Sequence, residues 1–310
     1  ANTNSAESIQ LIYHGQPYLV YPAAYLPKPR SIRQPSNLGL PYRNIEVMTS
    51  DNVRLRCFLI EYPPSKATVL MFHGNGMDHS DLLYHARYYF RYGCNVVTVS
   101  YRGYGDSEGV PSEKGLQRDA QAIVDWVRND PGLSKIPIIV YGLSLGGAVA
   151  IDVTSKNPEK IKGLILENTF TSIPDVVHAW PIIGPFSFAC TQRWNSASKL
   201  PKIPSSLPIL FCSGRNDGVV PPVHMDNLWK IAQERGKIAL SRGRSGGTGR
   251  EEDGDDDGRT GEVEEVLMEE WDPPGGDVFQ SYTRGGHVDT CTQPGYWPAI
   301  ETFINKAVAS

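Results

Sequence analysis

The sequence is poor in the features that mark disulfide-linked, metal-binding and membrane-spanning chains. Its 310 residues include only five cysteines, an odd and scattered set with neither metal-ligand spacing nor a disulfide framework. It contains no Asn-x-Ser/Thr glycosylation signal, which favours a reducing compartment. No apolar run reaches the ~18–20 residues of a membrane-spanning helix, so none is predicted in this stretch of chain. We expect three cysteines in or beside apolar strands to be buried, unreactive thiols: Cys57, Cys94 and Cys212.

A strong charge of either sign is also missing once one acidic stretch is set aside. Residues Lys237–Gly276 hold five Lys/Arg and twelve Asp/Glu, whereas the remainder holds 25 basic and 22 acidic residues. Neither part has the basic balance of a nucleic-acid-binding protein, so no nucleic-acid partner is predicted. Because its composition cannot bury enough apolar surface to fold, we predict that 237–276 is a disordered surface insertion. The alternative is a short docking helix, indicated by apolar residues at helical spacing: Val263, Val266, Leu267 and Trp271.

Apolar runs and helical stripes alternate through most of the chain after residue 66. The predicted buried strands are Ala67–Phe72, Cys94–Ser100, Ile136–Tyr141, Lys162–Leu166 and Pro208–Ser213, followed by a short strand at Asp277–Tyr282. The predicted helices are Asp81–Tyr92, Ser112–Asn129, Val223–Glu234 and Ala299–Val308. This alternation predicts an α/β fold with a mostly parallel, doubly wound sheet. Ahead of it, two segments with period-two alternation predict an antiparallel hairpin at the sheet edge: Ile45–Thr49 and Val53–Ile60.

The motif Gly142-Leu143-Ser144-Leu145-Gly146 stands between a predicted strand and a helix-compatible run of small residues. In that context G-x-S-x-G predicts a nucleophile elbow, which lifts the Ser144 hydroxyl to the top of the sheet. The two glycines are expected because a Cβ atom at either position would collide with neighbouring backbone. A chance glycine-rich turn is the alternative, since the pattern alone has low specificity.

A serine hydroxyl becomes a good nucleophile only when a base takes its proton and a third group orients that base. His287 follows the last predicted strand, and Asp217 follows the strand before it. The order Ser144, Asp217, His287 is the α/β-hydrolase order. Asp217 could instead cap the helix that follows it, and Asp289 is an alternative acid that lies close to His287 in sequence.

A developing oxyanion needs two hydrogen-bond donors that already point at it. One predicted donor is the backbone N–H of Leu145, the residue after the nucleophile. The other is expected from the turn after the first buried strand, with the Asn75 N–H preferred and the Gly76 N–H as the alternative. His73 is expected to fix that turn.

We predict one α/β domain over residues 44–310, preceded by an extended, proline-punctuated arm over residues 1–43. The arm has one apolar cluster, Tyr18–Pro22, which is expected to pack on the domain surface. Residues 170–207 interrupt the alternation and are too apolar for a solvated loop. We favour a small cap over the active-site mouth, with an irregular connection packed on the sheet as the alternative. Five apolar residues of this cap are predicted to line the substrate pocket: Trp180, Ile182, Ile183, Phe186 and Phe188.

Several segments together resemble a known family: His73-Gly74-Asn75, Ser100–Gly109, Tyr141–Ala150, Leu166–Phe170, Ser213–Pro222 and Gly285–Cys291. They make the chain similar to the α/β-hydrolase superfamily, and more narrowly to the fungal bud emergence protein 46 group and its animal abhydrolase-domain relatives. The resemblance implies Ser144, Asp217 and His287 as the catalytic triad. Relatives usually carry a membrane anchor ahead of a segment like Tyr18–Pro22. The resemblance therefore implies an intracellular, endomembrane-associated protein, attached through an upstream anchor that this chain does not show.

These residues predict a serine hydrolase that cleaves a carboxylic ester or thioester through an acyl-enzyme, without a cofactor or metal. The expected substrate is a small-molecule or lipid-like acyl compound. A serine peptidase or amidase remains open, because amide cleavage uses the same groups. A non-catalytic binding scaffold is the rival from another class, and an intact set of three catalytic residues argues against it.

Overall fold

The chain is organised around one sheet, and a computed structural model describes residues 20–21, 31–178, 187, 190–236 and 276–309. The strands are β1 (Arg43–Met48), β2 (Arg54–Ile60), β3 (Ala67–Phe72), β4 (Cys94–Val99), β5 (Ile138–Leu143), β6 (Ile161–Glu167), β7 (Ile209–Gly214) and β8 (Val278–Tyr282). The helices are α1 (Leu83–Arg91), α2 (Glu113–Asn129), α3 (Leu145–Lys156), α4 (Ile173–His178), α5 (Ser196–Lys199), α6 (Val223–Gln233) and α7 (Tyr296–Ala309).

The strand order is β1-β2-β4-β3-β5-β6-β7-β8. Strand β2 runs antiparallel to both of its neighbours, and every other pairing from β4 to β8 is parallel. The predicted mostly parallel sheet with an antiparallel edge hairpin is thus confirmed. Strand β1 begins at Arg43, one residue before the predicted domain boundary, and β5 begins two residues later than predicted and runs on to the motif serine.

Helices cover both faces of the sheet, which explains why its central strands are mostly apolar. Apolar residues of α2, α3 and α6 belong to the core cluster on one face, and those of α1 and α7 to the cluster on the other. Strands β3, β4, β5 and β7 are consequently buried along their whole length. Cys57, Cys94 and Cys212 are buried, as predicted. Within the described ranges, no helix combines the length and apolarity needed to cross a bilayer.

The loop after β4 is fixed by a buried arginine. The Arg102 side chain donates to Asp119 of α2 (Nε to Oδ1, 2.8 Å) and to Asp51 in the turn between β1 and β2 (Nη1 to Oδ2, 2.8 Å). Because a buried ion pair is costly to break, these contacts hold the loop firmly. The same loop carries the Tyr104 hydroxyl, which donates to Asn75 Oδ1 at 2.7 Å.

A second buried ion pair joins the chain on either side of residues 237–275. Arg235 follows α6 and Asp277 precedes β8; both side chains are fully buried, and Nη2 lies 2.6 Å from Oδ2. Asp277 Oδ1 also accepts a hydrogen bond of 2.9 Å from the backbone N–H of Ile209 at the start of β7. The start of β8 is therefore held by groups of the described core. All of the predicted insertion except Gly276 lies outside the described residues.

Only the flanks of the predicted cap, residues 170–207, belong to the described part of the chain. Helix α4 lies at its start and α5 near its end, and the Trp194 side chain between them is fully buried. The residues predicted to line the pocket lie outside the described residues: Trp180, Ile182, Ile183, Phe186 and Phe188. Their role in substrate selection stays a prediction.

Glycines allow β5, α3 and β3 to approach one another more closely than side chains permit. A Cβ atom on Gly146 would lie 2.0 Å from the Phe72 carbonyl oxygen, and one on Gly142 would lie 2.2 Å from the Gly146 carbonyl oxygen. A Cβ atom on Gly147 would lie 2.4 Å from the Thr169 Cβ. Real Cβ contacts are never this short, so the first turn of α3 can reach the sheet only through glycine.

We expect Gly146→Ala to lower the free energy of unfolding by about 3 kcal/mol, because overpacking against backbone cannot be relieved by a side-chain rotation. The matched control is Gly218→Ala, where an added Cβ meets nothing within 4 Å. That change should stay within about 0.5 kcal/mol. Urea unfolding of both variants measures the difference. Equal stability of the two would contradict the close approach at Gly146.

Candidate active site

Ser144 occupies the sharp turn between β5 and α3. Its φ of 55° and ψ of −118° place a non-glycine residue in a strained backbone region. Two hydrogen bonds hold that conformation: the Ser144 N–H donates to the Glu167 carbonyl (2.9 Å), and the Thr169 hydroxyl donates to the Ser144 carbonyl (2.7 Å). The end of β6 and the residues that follow it therefore hold the turn in place.

His287 lies between the serine and a carboxylate. Its Nε2 is 2.9 Å from Ser144 Oγ, and its Nδ1 is 2.7 Å from Asp217 Oδ2. A negative charge beside Nδ1 favours the tautomer with its proton on Nδ1, which leaves Nε2 free to accept the serine hydroxyl proton. The three sequence-predicted residues therefore form one continuous hydrogen-bonded chain.

The two oxygens of Asp217 have separate tasks. While Oδ2 meets the imidazole, Oδ1 accepts from the backbone N–H groups of Val219 (2.8 Å) and Val220 (2.9 Å). The side chain does not cap α6, whose N-cap position is Pro222 without a side-chain cap. Its neighbours in the loop thus orient the carboxylate towards the histidine.

Asp289, the alternative acid, points elsewhere. It is exposed, and its Oδ1 accepts from the backbone N–H of Gly286 at 2.6 Å. It therefore shapes the loop that carries His287, while the imidazole bonds to Asp217.

The turn after β3 packs directly against the serine. A Cβ atom added to Gly74 would lie 3.5 Å from both the Ser144 Cβ and the Leu143 carbonyl oxygen. Leu145 is the first residue of α3, where a backbone N–H has no acceptor within its own helix. Among the described residues, no acceptor takes the N–H of Leu145 or of Asn75. Both predicted donors thus lie in segments adjoining Ser144, with their N–H groups available.

His73 is a buried part of that turn. Burial lowers the pKa of its imidazole to about 4, so the ring is neutral at pH 7. Its Nδ1 lies 2.8 Å from the Gly74 carbonyl, and the Tyr101 hydroxyl donates to the His73 carbonyl at 3.0 Å. These contacts fix the turn, as expected from the sequence.

Asn168 was not identified from the sequence, although it occupies a central place. Its Nδ2 lies 3.0 Å from the carbonyls of Gly286 and His287 and 2.9 Å from Thr290 Oγ1. Its Oδ1 accepts from the Gly214 N–H at 2.8 Å. One amide thereby joins the ends of β6 and β7 to the loop of His287. Its φ of 46° is one that asparagine adopts more readily than most residues.

A buried polar cluster behind the site could be mistaken for a metal centre. Potential ligand atoms of His85, Glu167 and Cys291 all lie within 4.8 Å of one another. However, the hydroxyls of Tyr141 and Tyr296 already donate to Glu167 Oε2. Burial also raises the pKa of the Cys291 thiol to about 12, so the thiol is protonated at pH 7 in the metal-free protein. The tyrosine hydroxyls on Glu167 make this cluster a polar part of the core.

Comparisons with known proteins define the family. The family profile described as Serine aminopeptidase, S33 matches residues 63–204. Protein bem46 of Schizosaccharomyces pombe is 35% identical over 307 residues, which cover 96% of this chain and 88% of the relative. The chain belongs to the bem46 group of α/β hydrolases.

A second relative and two solved structures are also similar to this chain. An uncharacterized membrane protein of Saccharomyces cerevisiae is 32% identical over 299 residues, covering 96% of this chain and 91% of the relative. An esterase of Pyrococcus furiosus aligns with a TM-score of 0.65 at 17% identity, covering 91% of this chain and 96% of the esterase. An α/β hydrolase of Vibrio vulnificus aligns with a TM-score of 0.61 at 19% identity, covering 100% of this chain and 94% of that hydrolase. At these identities the structural likeness shows the fold alone.

We expect Asn168→Asp to lower hydrolytic turnover of this bem46-group chain roughly 10- to 100-fold, because small misplacements of a catalytic group are costly. The aspartate keeps the oxygen that accepts from the Gly214 N–H. Its second oxygen replaces the amide nitrogen and faces the carbonyl oxygens of Gly286 and His287, to which it cannot donate. Steady-state kinetics on an activated ester, with a melting curve for each variant, measure the effect.

The matched control is Asn157→Asp at the end of α3. Asn157 Nδ2 also donates two hydrogen bonds, to the Val153 carbonyl (2.8 Å) and to Gln121 Oε1 (2.9 Å). This variant should lose stability but keep its kcat. If both variants keep kcat, Asn168 does not position the histidine.

Proposed function

We propose that this protein is a serine hydrolase that cleaves carboxylic esters or thioesters through an acyl-enzyme. One observation carries the proposal: the continuous hydrogen bonding of Ser144 Oγ, the His287 imidazole and Asp217. The family and the fold support a hydrolase, and this geometry supports a serine nucleophile.

The proposed reaction begins when Ser144 Oγ attacks the carbonyl carbon and its proton passes to His287 Nε2. Asp217 stabilises the imidazolium that forms and keeps it in the required orientation. The N–H groups of Leu145 and Asn75 hold the oxyanion of the tetrahedral intermediate. His287 then returns the proton to the leaving group as its bond to the acyl carbon breaks. In the second half of the reaction His287 takes a proton from water, the water oxygen attacks the acyl carbon, and the Ser144 Oγ–acyl bond breaks as the proton passes back to Ser144.

The substrate class rests on the sequence of the cap and on the likeness to an esterase. The five apolar residues predicted at the pocket would favour an apolar acyl group, since burying apolar surface contributes ~25 cal/mol per Å². We therefore propose a small-molecule or lipid-like acyl substrate. One relative's name calls it a membrane protein, which supports the proposal that this chain works near a membrane through an upstream anchor.

A peptidase or amidase is the second candidate, supported by the description of the family profile that matches residues 63–204. The same three residues would serve both reactions. Parallel assays with p-nitrophenyl esters and aminoacyl p-nitroanilides distinguish the two candidates by their ratio of kcat/KM values.

A fluorophosphonate probe should label the protein once, at Ser144, because only an activated serine reacts with it. Ser144→Ala should abolish labelling and ester turnover while leaving the melting temperature unchanged. Ser281→Ala, at an exposed serine of β8, serves as the control and should label fully. Labelling that survives Ser144→Ala, read by intact-protein mass spectrometry, would instead favour the binding-scaffold alternative.

We expect Asp217→Asn to reduce kcat by about 10⁴, because the amide stabilises the wrong histidine tautomer. Asp289→Asn is the isosteric control: its amide oxygen can still accept from the Gly286 N–H, so kcat should stay within a few-fold of the unmodified chain. Steady-state kinetics measure both variants. The reverse pattern would mean that Asp289 orients the imidazole during turnover.

A further inference from the structure

Two residues of the N-terminal arm lie against the catalytic domain. The Tyr21 side chain is fully buried, and its hydroxyl accepts from the Trp194 indole N–H at 2.8 Å. The same hydroxyl donates to Gln192 Oε1 at 3.2 Å. Tyr21 also belongs to the main apolar cluster of the domain. The arm is therefore anchored here to the C-terminal part of the predicted cap, residues 170–207.

The segment that holds Tyr21 is itself fixed to the domain. Glu113, the first residue of α2, accepts from the backbone N–H groups of Arg193 (2.6 Å) and Trp194 (3.1 Å) through Oε2. In return, the Glu113 N–H donates to Gln192 Oε1 at 2.7 Å. The residues that bind Tyr21 are thus themselves held in place by the start of α2.

The neighbouring residue of the arm reaches the turn of the proposed oxyanion donor. The carbonyl of Val20 accepts from Asn75 Nδ2 at 2.7 Å. At the other end of the same amide, the Tyr104 hydroxyl donates to Asn75 Oδ1 at 2.7 Å. Asn75 is exposed, yet both ends of its side chain are bonded. Neither contact uses the backbone N–H, which is left available to a substrate.

We propose that Val20 and Tyr21 form a positioning strap that fixes the direction of the Asn75 backbone N–H. The proposal rests on the proposed serine hydrolase function. An oxyanion donor is effective only when it points at the developing charge before the reaction starts. The strap and Tyr104 hold the Asn75 side chain from two sides, and through it the peptide plane of the turn. Val20 and Tyr21 are positioning residues in this account, since neither touches the reacting atoms.

The test compares two variants that release the strap at opposite ends. Asn75→Asp replaces the donor to Val20 with an oxygen and keeps the acceptor for Tyr104; because Asn75 is exposed, this variant should fold. Tyr21→Phe keeps the buried ring and removes the hydroxyl that meets Trp194 and Gln192. Tyr42→Phe is the matched control, since it loses one tyrosine hydrogen bond, to Gln34 Oε1 (2.9 Å), at the distant edge of the sheet.

We expect Asn75→Asp to lower kcat about tenfold with KM within about twofold, because an interaction made only in the transition state affects kcat. This is below the ~10²–10³ that follows the loss of a whole oxyanion donor. Tyr21→Phe should show a smaller loss of the same kind, and Tyr42→Phe none. All three should still label completely with the fluorophosphonate probe. The double variant should lose no more than Asn75→Asp alone, because both changes act through one contact.

Two results would overturn the proposal, and they differ from each other. An active chain whose kcat is unchanged in Asn75→Asp and Tyr21→Phe, or whose losses multiply in the double variant, would overturn the strap alone. An unmodified chain that neither labels at Ser144 nor hydrolyses any ester would overturn the strap together with the function on which it rests.

Discussion

Strand β3 and helix α3 meet at Gly146, where an added Cβ would lie only 2.0 Å from the Phe72 carbonyl oxygen. Three parts of the candidate site depend on that contact. Ser144 and Leu145 directly precede Gly146, and the turn with the second proposed oxyanion donor begins one residue after Phe72. A wider separation would move the nucleophile, the helix N-terminus and the turn relative to one another. The glycine at position 146 is therefore needed for the distances between the nucleophile, the helix N-terminus and the turn.

The order of strands explains how residues far apart in sequence meet. Strands β5, β6, β7 and β8 are consecutive in the sheet, and each is followed at its carboxyl end by one polar residue of the site. These residues are Ser144, Asn168, Asp217 and His287. Asn168 follows the strand beside the serine and bonds both to the end of β7 and to the histidine loop. Asn168 thus lies in the same row as the proposed nucleophile, acid and base, and its hydrogen bonds hold the end of β7 and the histidine loop in place.

Features encoded within a few residues could be predicted from the sequence. The elbow at Ser144 is such a feature, because strand, glycine turn and small-residue helix follow one another directly. The alternation of elements likewise predicted the sheet. The ends of elements depend on neighbouring strands: β5 extends to Leu143 because it pairs with β6 up to that residue.

Contacts between segments that lie far apart in the sequence could not be predicted from it. Asn168 bonds to groups 118 to 122 positions away, and its side chain has no periodic pattern that would reveal them. The order of the residues favoured Asp217 over Asp289, but the sequence could not show that Asp217 meets the imidazole while Asp289 bonds to the Gly286 N–H. The bond between Val20 and Asn75 joins an arm to a turn 55 positions later, and arm sequences carry little signal for where they attach.

The buried pair of Arg235 and Asp277 has a consequence for how this protein can change over time. The pair closes the chain at the base of residues 237–275 and fixes the start of β8 through Ile209. The closure entropy of a flexible loop rises by only about 0.6 kcal/mol for each doubling of its length, so an insertion of the predicted kind would cost little at many lengths. With the start of β8 held in this way, sequence drift within the predicted insertion would not reach the histidine loop. The insertion could then acquire new chemistry while the geometry of the site is inherited unchanged.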